Sequence, residues 1–371
     1  MSLESAVSGA DVWWIAPTYK MAGQVWRDFK RASVTLYGAI NQADRRIDYP
    51  IAHRPDDSYK AGSLTIRSAH QPDMLRGAGL DLVVLDEAAY MTAETWHDVI
   101  RPMLADESGG AYLLSTPCGR NWFYDLYQLG QDKTQTDWVS FQRSIHDNPH
   151  IPKKEIDSIR MNTSDRVFRA EYLAEFIDDG GVVFRGVREA ASAPPFVAPE
   201  DGRRYVGGID WGRNKDYTVI TLIDEETRCV VAVERFNKVG WEIQRGRIQE
   251  LCERWQPVVL WAEENSIGAV NIEALQAEGL PVRAFKMTAV SKAPLIEALA
   301  LALERRELAI LPDEAPNGAA MIHELVAYTM TQQPGGGARY SAPAGAHDDC
   351  VISLALAWHG VRFGGASLSF G

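Results

Sequence analysis

Along the first 180 or so residues the hydrophobic pattern alternates between short, almost unbroken apolar runs and stretches with apolar residues at helical spacing. The runs are 12–16 (VWWIA), 64–68, 80–85 (LDLVVL) and 111–115 (AYLLS), and a helical pattern through Met21, Val25, Trp26 and Phe29 follows the first. Strands that read as continuous apolar runs are covered on both faces, so the spacing predicts a parallel sheet layered with helices. From 151 to 176 the pattern is helical and charged, and it stops at Asp178-Asp179-Gly180-Gly181. Residues 190–202 (AASAPPFVAPEDG) then read as a connector, which predicts a domain at 1–177, a linker at 178–203 and a second domain at 204–371. The second domain opens with three β-rich runs at 205–210, 218–223 and 229–236, the pattern of an antiparallel meander. A helix at 241–255, a strand at 258–262, a helix at 269–277, a strand at 282–285, a helix at 291–306 and a last helix starting near His347 complete it. Strands first and alternating units afterwards predict a mixed sheet with helices on its faces.

Composition narrows the function classes. Hydrophobic residues are 46% and charged residues 24% of 371, which suits a folded chain and leaves no room for disorder over most of the length. The 38 basic against 50 acidic side chains give a net charge of −12, so no protein-wide positive field attracts nucleic acid. Any DNA contact is expected to be local and metal-assisted. Cys118, Cys229, Cys252 and Cys350 form no CxxC pair, against a zinc ribbon or a disulfide framework. No apolar run approaches the roughly 18 residues of a membrane span, and the expectation is a soluble intracellular protein without a membrane partner.

Acidic residues close the elements of the second half. Asp210 ends the 205–210 run, Glu263 and Glu264 end the 258–262 strand, and Asp348 and Asp349 open the last helix. If the first and fourth strands of this half are parallel neighbours, about 4.8 Å apart, their terminal acids converge and a helix over that edge adds the third carboxylate. Such a cluster stays ionised only beside cations. Hard oxygen donors select Mg²⁺ or Mn²⁺, and two ions ~3.5–4 Å apart would serve phosphodiester hydrolysis. Taken singly, each acid has a plainer role: Asp210 as a turn former, Glu263 and Glu264 as solvated strand ends, Asp348 as an N-cap and Asp349 as a first-turn charge. Asp216 reads as a supporting residue or a strand-start cap.

In the first half, Leu82-Val83-Val84-Leu85-Asp86-Glu87 is an apolar strand ending in two acids, as in nucleotide hydrolases that use one acid at the Mg²⁺ and one at the attacking water. The next strand ends Ser115-Thr116-Pro117. A glycine-rich phosphate cradle GxxxxGK(S/T) occurs nowhere in the sequence. The expectation is therefore that either the chain starts late, as an N-terminally truncated one, or this half no longer hydrolyses ATP.

Together the motifs resemble those of the large subunit of tailed-phage terminases. The carrying segments are DVWWIAPTYKMA from Asp11, VVLDEAAYM from Val83, LLSTPCGRNWFYDLY from Leu113, DNPHIP from Asp147, GIDWGRNKDYTV from Gly208, AEENSIG from Ala262 and HDDCVISLALA from His347. The resemblance implies an α/β chain made of an incomplete P-loop (ASCE-type) ATPase sheet followed by an RNase H-like mixed-sheet nuclease domain. It places the ATPase acids on Asp86 and Glu87, the coupling motif on Ser115, Thr116 and Pro117, and the nuclease metal ligands on Asp210, Glu263, Asp349 and Asp348. ATP is the cofactor of the full-length family, with Mg²⁺ or Mn²⁺ at the nuclease site. Double-stranded DNA, the portal protein and the small terminase subunit are the implied partners. The implied setting is the host bacterial cytoplasm, with a ring transiently on the procapsid portal. Arg213, Lys215 and Lys286 are candidate phosphate contacts, and also ordinary surface charges. The alternatives are an inert prophage remnant that binds portal or small subunit, and an RNase H-like recombination nuclease.

Overall fold

The computed structural model describes residues 1–371 except 54–58, 78, 179, 195–197, 213–215, 265, 333–337 and 364–371, and it leaves out the side chains of 51–53, 59, 266 and 332. Two compact units result. The first is built mainly from Met1–Ile156 and Arg166–Asp178, the second from Asp157–Asp165, Asp179–Thr331 and the chain from Ala338 onward.

The first unit contains α1 (Ser2–Val7), β1 (Asp11–Ala16), α2 (Gly23–Val34), β2 (Ala39–Asn41), β3 (Arg46–His53), β4 (Tyr59–Ser68), β5 (Leu82–Asp86), α3 (Arg101–Glu107), β6 (Gly110–Leu114) and α4 (Trp122–Gln131). Its sheet runs β2-β3-β4-β1-β5-β6. The four strands expected from their apolar runs, β4, β1, β5 and β6, are mutually parallel. The expectation of a wholly parallel sheet needs correction, because β2 and β3 add an antiparallel flank. Neither carries an apolar run: β2, the edge strand, is exposed at every position, and β3, second from the edge, alternates buried Ile47 and Tyr49 with Arg46, Asp48 and Pro50. Alternate residues of β1 feed two cores: Ile15 packs with Val83, Leu85 and Trp96, and Val12 and Ala16 pack with Ile47, Leu64 and Trp26.

Helices α5 (Lys153–Asn162) and α6 (Asp165–Val167) follow, and the second unit continues with α7 (Val187–Ala190), β7 (Tyr205–Asp210), β8 (Thr218–Asp224), β9 (Cys229–Phe236), α8 (Trp241–Trp255), β10 (Val259–Glu263), α9 (Ser266–Ala277), β11 (Val282–Phe285), α10 (Ala289–Glu304), α11 (Gly318–Ala327), β12 (Thr329–Gln332), β13 (Ala338–Ser341) and α12 (Asp349–Phe363). Its main sheet runs β11-β10-β7-β8-β9. The meander β7-β8-β9 is antiparallel, whereas β10 and β11 join parallel to β7. Helix α11 and the β12–β13 hairpin were not expected from the sequence. Part of the stretch expected as a connector is packed, with Val183, Phe184, Val187, Ala190 and Ala193 in the core beside α10 and α12.

β7 and β8 are buried at every position, so both faces of the sheet are covered. α12 lies on one face with Val206, Val219 and Val259, and α8 and α9 cover the other with Ile209, Ile220 and Leu260. The chain admits α12 so closely because β7 carries Gly208. A Cβ there would stand 2.1 Å from the Ser353 carbonyl oxygen and 2.4 Å from the Ala357 nitrogen, both main-chain atoms that cannot step aside. Ser353 Oγ donates to the Gly208 carbonyl at 2.9 Å and lies 2.8 Å from Thr221 Oγ1, which pins the helix to the strand.

Gly208→Ala is therefore expected to destabilise the second unit by about 3 kcal/mol or more, at the upper end of overpacking costs. Urea unfolding followed by far-UV circular dichroism measures it; a loss under about 0.5 kcal/mol, the usual range for a surface substitution, would show that α12 can move away.

Candidate active site

The end of β7 and the end of β10 meet in register. Ala262 stands opposite Ile209, so the next pair is Glu263 beside Asp210, and both side chains project on the α12 side of the sheet. Asp210 is buried at 7% exposure and accepts the Trp211 N–H at 3.0 Å. The Glu263 carboxyl comes within hydrogen-bonding reach of the Asp210 carboxyl. Burial first, then the neighbouring Glu263, then Asp349 and Asp348 drive the Asp210 pKa well above the usual carboxylate range. Among the described residues no Lys, Arg or His forms an ion pair with either acid.

The N-terminus of α12 brings two more acids. Asp348 precedes the helix and its carbonyl accepts the Ile352 N–H at 3.0 Å, the role of a cap. Its carboxylate is one-third exposed and lies 3.6 Å from Lys292 Nζ on α10. Asp349, the first helical residue, has a side chain only 8% exposed, whose Oδ2 accepts the Tyr217 N–H at 3.0 Å and lies 3.5 Å from His347 Nδ1. Burial pushes the Asp349 carboxyl up to about 6, opposed by the Tyr217 N–H. The structure thus joins Asp210 to Glu263 and sets Asp348 and Asp349 near enough for their charge to be felt at Asp210. It does not close three acids on one point: among the described residues no three His, Cys, Asp or Glu side chains form a cluster ready to hold a metal ion. Asp216 lies outside, 70% exposed and 3.8 Å from His347, and Glu264 is exposed. Lys286 is exposed just after β11; Arg213 and Lys215 lie outside the described residues.

Several neighbours of these acids carry no motif. Glu324 on α11 is buried at 4% exposure, accepts the Cys350 N–H at 2.7 Å and pairs with Arg235 of β9 at 3.0 Å. The Arg235 guanidinium stacks 3.3 Å from the centre of the Tyr217 ring. The Tyr328 hydroxyl is fully buried without a hydrogen-bond partner among the described residues, and its pKa is raised by burial and by Asp348 and Asp210. The one signal available in the sequence was a lone acid inside the apolar stretch MIHELVA.

In the first unit, Asp86 and Glu87 end β5 as expected. The Trp14 indole N–H donates to Asp86 at 3.2 Å. Glu87 turns out of the strand in a left-handed conformation, φ 56°, where Ser115 Oγ donates to it at 3.3 Å and accepts the Ala89 N–H at 3.2 Å. Burial raises the Glu87 pKa, with the Ser115 hydroxyl opposing. Thr116 Oγ1 lies 3.2 Å from the Tyr90 hydroxyl, and Pro117 is buried. Asp86, Glu87, Ser115 and Thr116 therefore gather where the adjacent parallel strands β5 and β6 end.

Residues 37–190 match the family model of the N-terminal part of the T4-like-virus type terminase large subunit, and residues 207–359 match the terminase RNase H-like domain. The large terminase subunit of Thermus virus P23-45 is 31% identical over 388 residues, which cover 94% of this chain and 78% of that protein. That of Thermus phage G20c is 31% identical over 392 residues with the same coverage. This chain belongs to the terminase large subunit family. A large terminase from a thermophilic bacteriophage shares the fold, with a TM-score of 0.54 at 14% identity over 96% of this chain and 87% of that one. The expected class is borne out: a terminase ATPase-like half is followed by an RNase H-like half. No helix among the described residues of this terminase chain is long and apolar enough to cross a membrane.

The raised Asp210 pKa has a direct consequence for stability. Its folded value lies above the unfolded value near 3.9, so stability is greatest below the unfolded pKa and is lost as pH rises through the folded one. At pH 7 in EDTA, Asp210→Asn is expected to stabilise the second unit by about 1 kcal/mol or more, an advantage that shrinks toward pH 4. Urea unfolding at the two pH values checks it; an Asn variant less stable than the parent at pH 7 would mean that the charge is compensated.

Proposed function

We propose that the second unit is a divalent-metal-dependent endonuclease that cuts double-stranded DNA. The single observation carrying this is the buried Asp210 carboxyl held against Glu263 with no cation paired to either among the described residues. A buried acid pair of this kind must share a proton or take up a cation. The donors are all hard oxygens, which fit Mg²⁺ or Mn²⁺. Asp210 and Glu263 would hold such an ion from the strand ends, and Asp349 would complete the set from the helix start. When bound, a pair of these ions supplies positive charge at the attacking and leaving oxygens of a phosphodiester. The chain's own part is to fix the carboxylates on rigid strand and helix ends, and to exclude water behind them with Val206, Val219 and the apolar face of α12.

The first unit serves the complete motor as its ATP-driven half. Asp86 stands for the Mg²⁺ water shell, Glu87 for the attacking water and Ser115-Thr116-Pro117 for the coupling segment, with ATP as cofactor. Concatemeric DNA is the substrate, exposed basic side chains such as Lys286 contact its phosphates, and the portal protein and small terminase subunit are the partners in a ring on the procapsid portal in the host cytoplasm. Membership of the terminase family supports these roles.

Incubated with supercoiled plasmid and Mn²⁺, the protein is expected to nick and then linearise the DNA. Because metal charge contributes several kcal/mol at the transition state, Asp210→Ala or Glu263→Ala should slow cutting by about 100-fold or more. Intact plasmid at high protein concentration would favour an inert remnant.

For the first unit, the 371-residue polypeptide has no GxxxxGK(S/T) cradle in its sequence, and no steady-state phosphate release from ATP is expected of it. Turnover that Glu87→Ala abolishes would contradict this.

A further inference from the structure

We infer that the ion pair between half-buried Arg235 and buried Glu324 is a positioning device that presents Asp349, rather than its neighbour Asp348, to the metal. The inference rests on the nuclease function proposed above. It starts from register. Val219 is paired with Asp210 on one side and with Arg235 on the other, so Arg235, Val219, Asp210 and Glu263 lie on one rung across four strands. Side chains on one rung share a face, and this one is the face beneath α12. Arg235, its side chain 16% exposed, is thus a half-buried cation two strands, about 10 Å, from Asp210.

Its charge does not go to Asp210. Glu324 takes it at 3.0 Å, and the second oxygen of Glu324 accepts the Cys350 N–H at 2.7 Å. Cys350 follows Asp349, so the pair grips the first turn of α12 from one side. The guanidinium plane also lies 3.3 Å from the Tyr217 ring centre, and the Tyr217 N–H holds Asp349 Oδ2 at 3.0 Å. Both routes from Arg235 end on Asp349, one through the helix backbone and one through its carboxylate. Asp348 is served differently: Lys292 draws its carboxylate at 3.6 Å, and it is a third exposed. Adjacent acids at a helix start point in directions about 100° apart, since the helix turns once in roughly 3.6 residues. Partners that hold one inward and the other toward Lys292 therefore assign them different tasks.

Stability alone is a poor reason to bury such a pair. Desolvation offsets much of the attraction, and apolar replacements of similar volume are often tolerated when both partners change together. A purely structural pair could be exchanged without consequence for the acids; a positioning pair could not.

The test uses the whole chain carrying Arg235→Met together with Glu324→Gln, where the Gln oxygen still accepts from Cys350. Thermal unfolding establishes that the double variant is folded. Mn²⁺ affinity is read from the free-ion signal in electron paramagnetic resonance, and amide exchange at Tyr217 is read by mass spectrometry or NMR in EDTA. The expected result is a Mn²⁺ dissociation constant raised about 10- to 100-fold, the usual effect of removing a residue that orients a ligand. Tyr217 exchange should become faster while the rest of β8 keeps its protection. Asp349→Asn should weaken Mn²⁺ binding, and Asp348→Asn should leave it nearly unchanged. A folded double variant with unchanged Tyr217 exchange overturns the inference, as does an Asp348→Asn loss equal to that of Asp349→Asn. If the parent chain itself binds no Mn²⁺, the nuclease proposal fails, and metal-free exchange at Tyr217 still decides whether the pair holds Asp349.

Discussion

In-register parallel pairing of β7 with β10 forces two carboxyl side chains onto one rung at the carboxyl ends of neighbouring strands. Among the described residues no cation is paired with either acid to relieve the repulsion, the Asp210 side chain is closed off from solvent and the backbone pairing fixes the separation. Much of the second unit can be understood as support for that juxtaposition. Gly208 lets α12 lie directly on the strand, Ser353 fastens it there, and the helix start arrives beside the acid pair. A protein selected for stability alone would place an amide or an apolar residue at position 210. The retained carboxylate is a local conflict that the surrounding core over-determines, as functional sites commonly show.

The first unit arranges its acids in the opposite way. Asp86 and Glu87 are consecutive, and in a continuing strand they would face opposite sides of the sheet. Instead the chain leaves the strand at Glu87 through a left-handed residue, a conformation that costs a non-glycine side chain about 1 kcal/mol. Neutral donors then hold each acid separately, the Trp14 indole at Asp86 and the Ser115 hydroxyl at Glu87. Acids kept apart suit two different tasks. Acids pressed together, as at Asp210 and Glu263, suit a shared cation. Ser115 also ties the end of β6 to Ala89 beyond the acids, so a shift of either strand end would be felt by Glu87.

The apolar runs made β1, β5, β7, β8 and β10 legible in the sequence, since a strand covered on both faces must be apolar throughout, and β9 was legible from its β-rich run although it lies at the sheet edge. β2 escaped because an edge strand faces water, and β3 because Arg46, Asp48 and Pro50 break up its buried Ile47 and Tyr49. α11 escaped because His323 and Glu324 interrupt its apolar positions, although Glu324 is buried in the folded chain. The acids at strand and helix ends were visible as punctuation: an apolar run that stops on Asp or Glu. Their partners were not. Arg235 meets Glu324 across 89 positions of sequence, and Tyr217 meets Asp349 across 132. In a linear reading Arg235 is one charge in a half-exposed strand, and only the rung it shares with Asp210 gives it meaning. The same holds for the different partners of the two adjacent acids, Lys292 for Asp348 and the Tyr217 N–H for Asp349, which helix phase alone does not give.

A chain of net charge −12 that acts on a polyanion faces a further electrostatic problem. Among the described residues, two cations beside the acids are already engaged, Arg235 by Glu324 and Lys292 by Asp348. Exposed basic side chains remain along the β11 edge and at the end of α12, namely Arg283, Lys286 and Arg362. Three such charges in a high-dielectric surface bring DNA close only weakly, and salt screens them within about 8–10 Å. On the proposed function, the divalent cation therefore has two tasks: it completes the chemistry and reverses the sign of the field where the phosphodiester must sit. A cation held between the acids would thus favour DNA at the site, since it offsets the carboxylate charge that repels the phosphodiester.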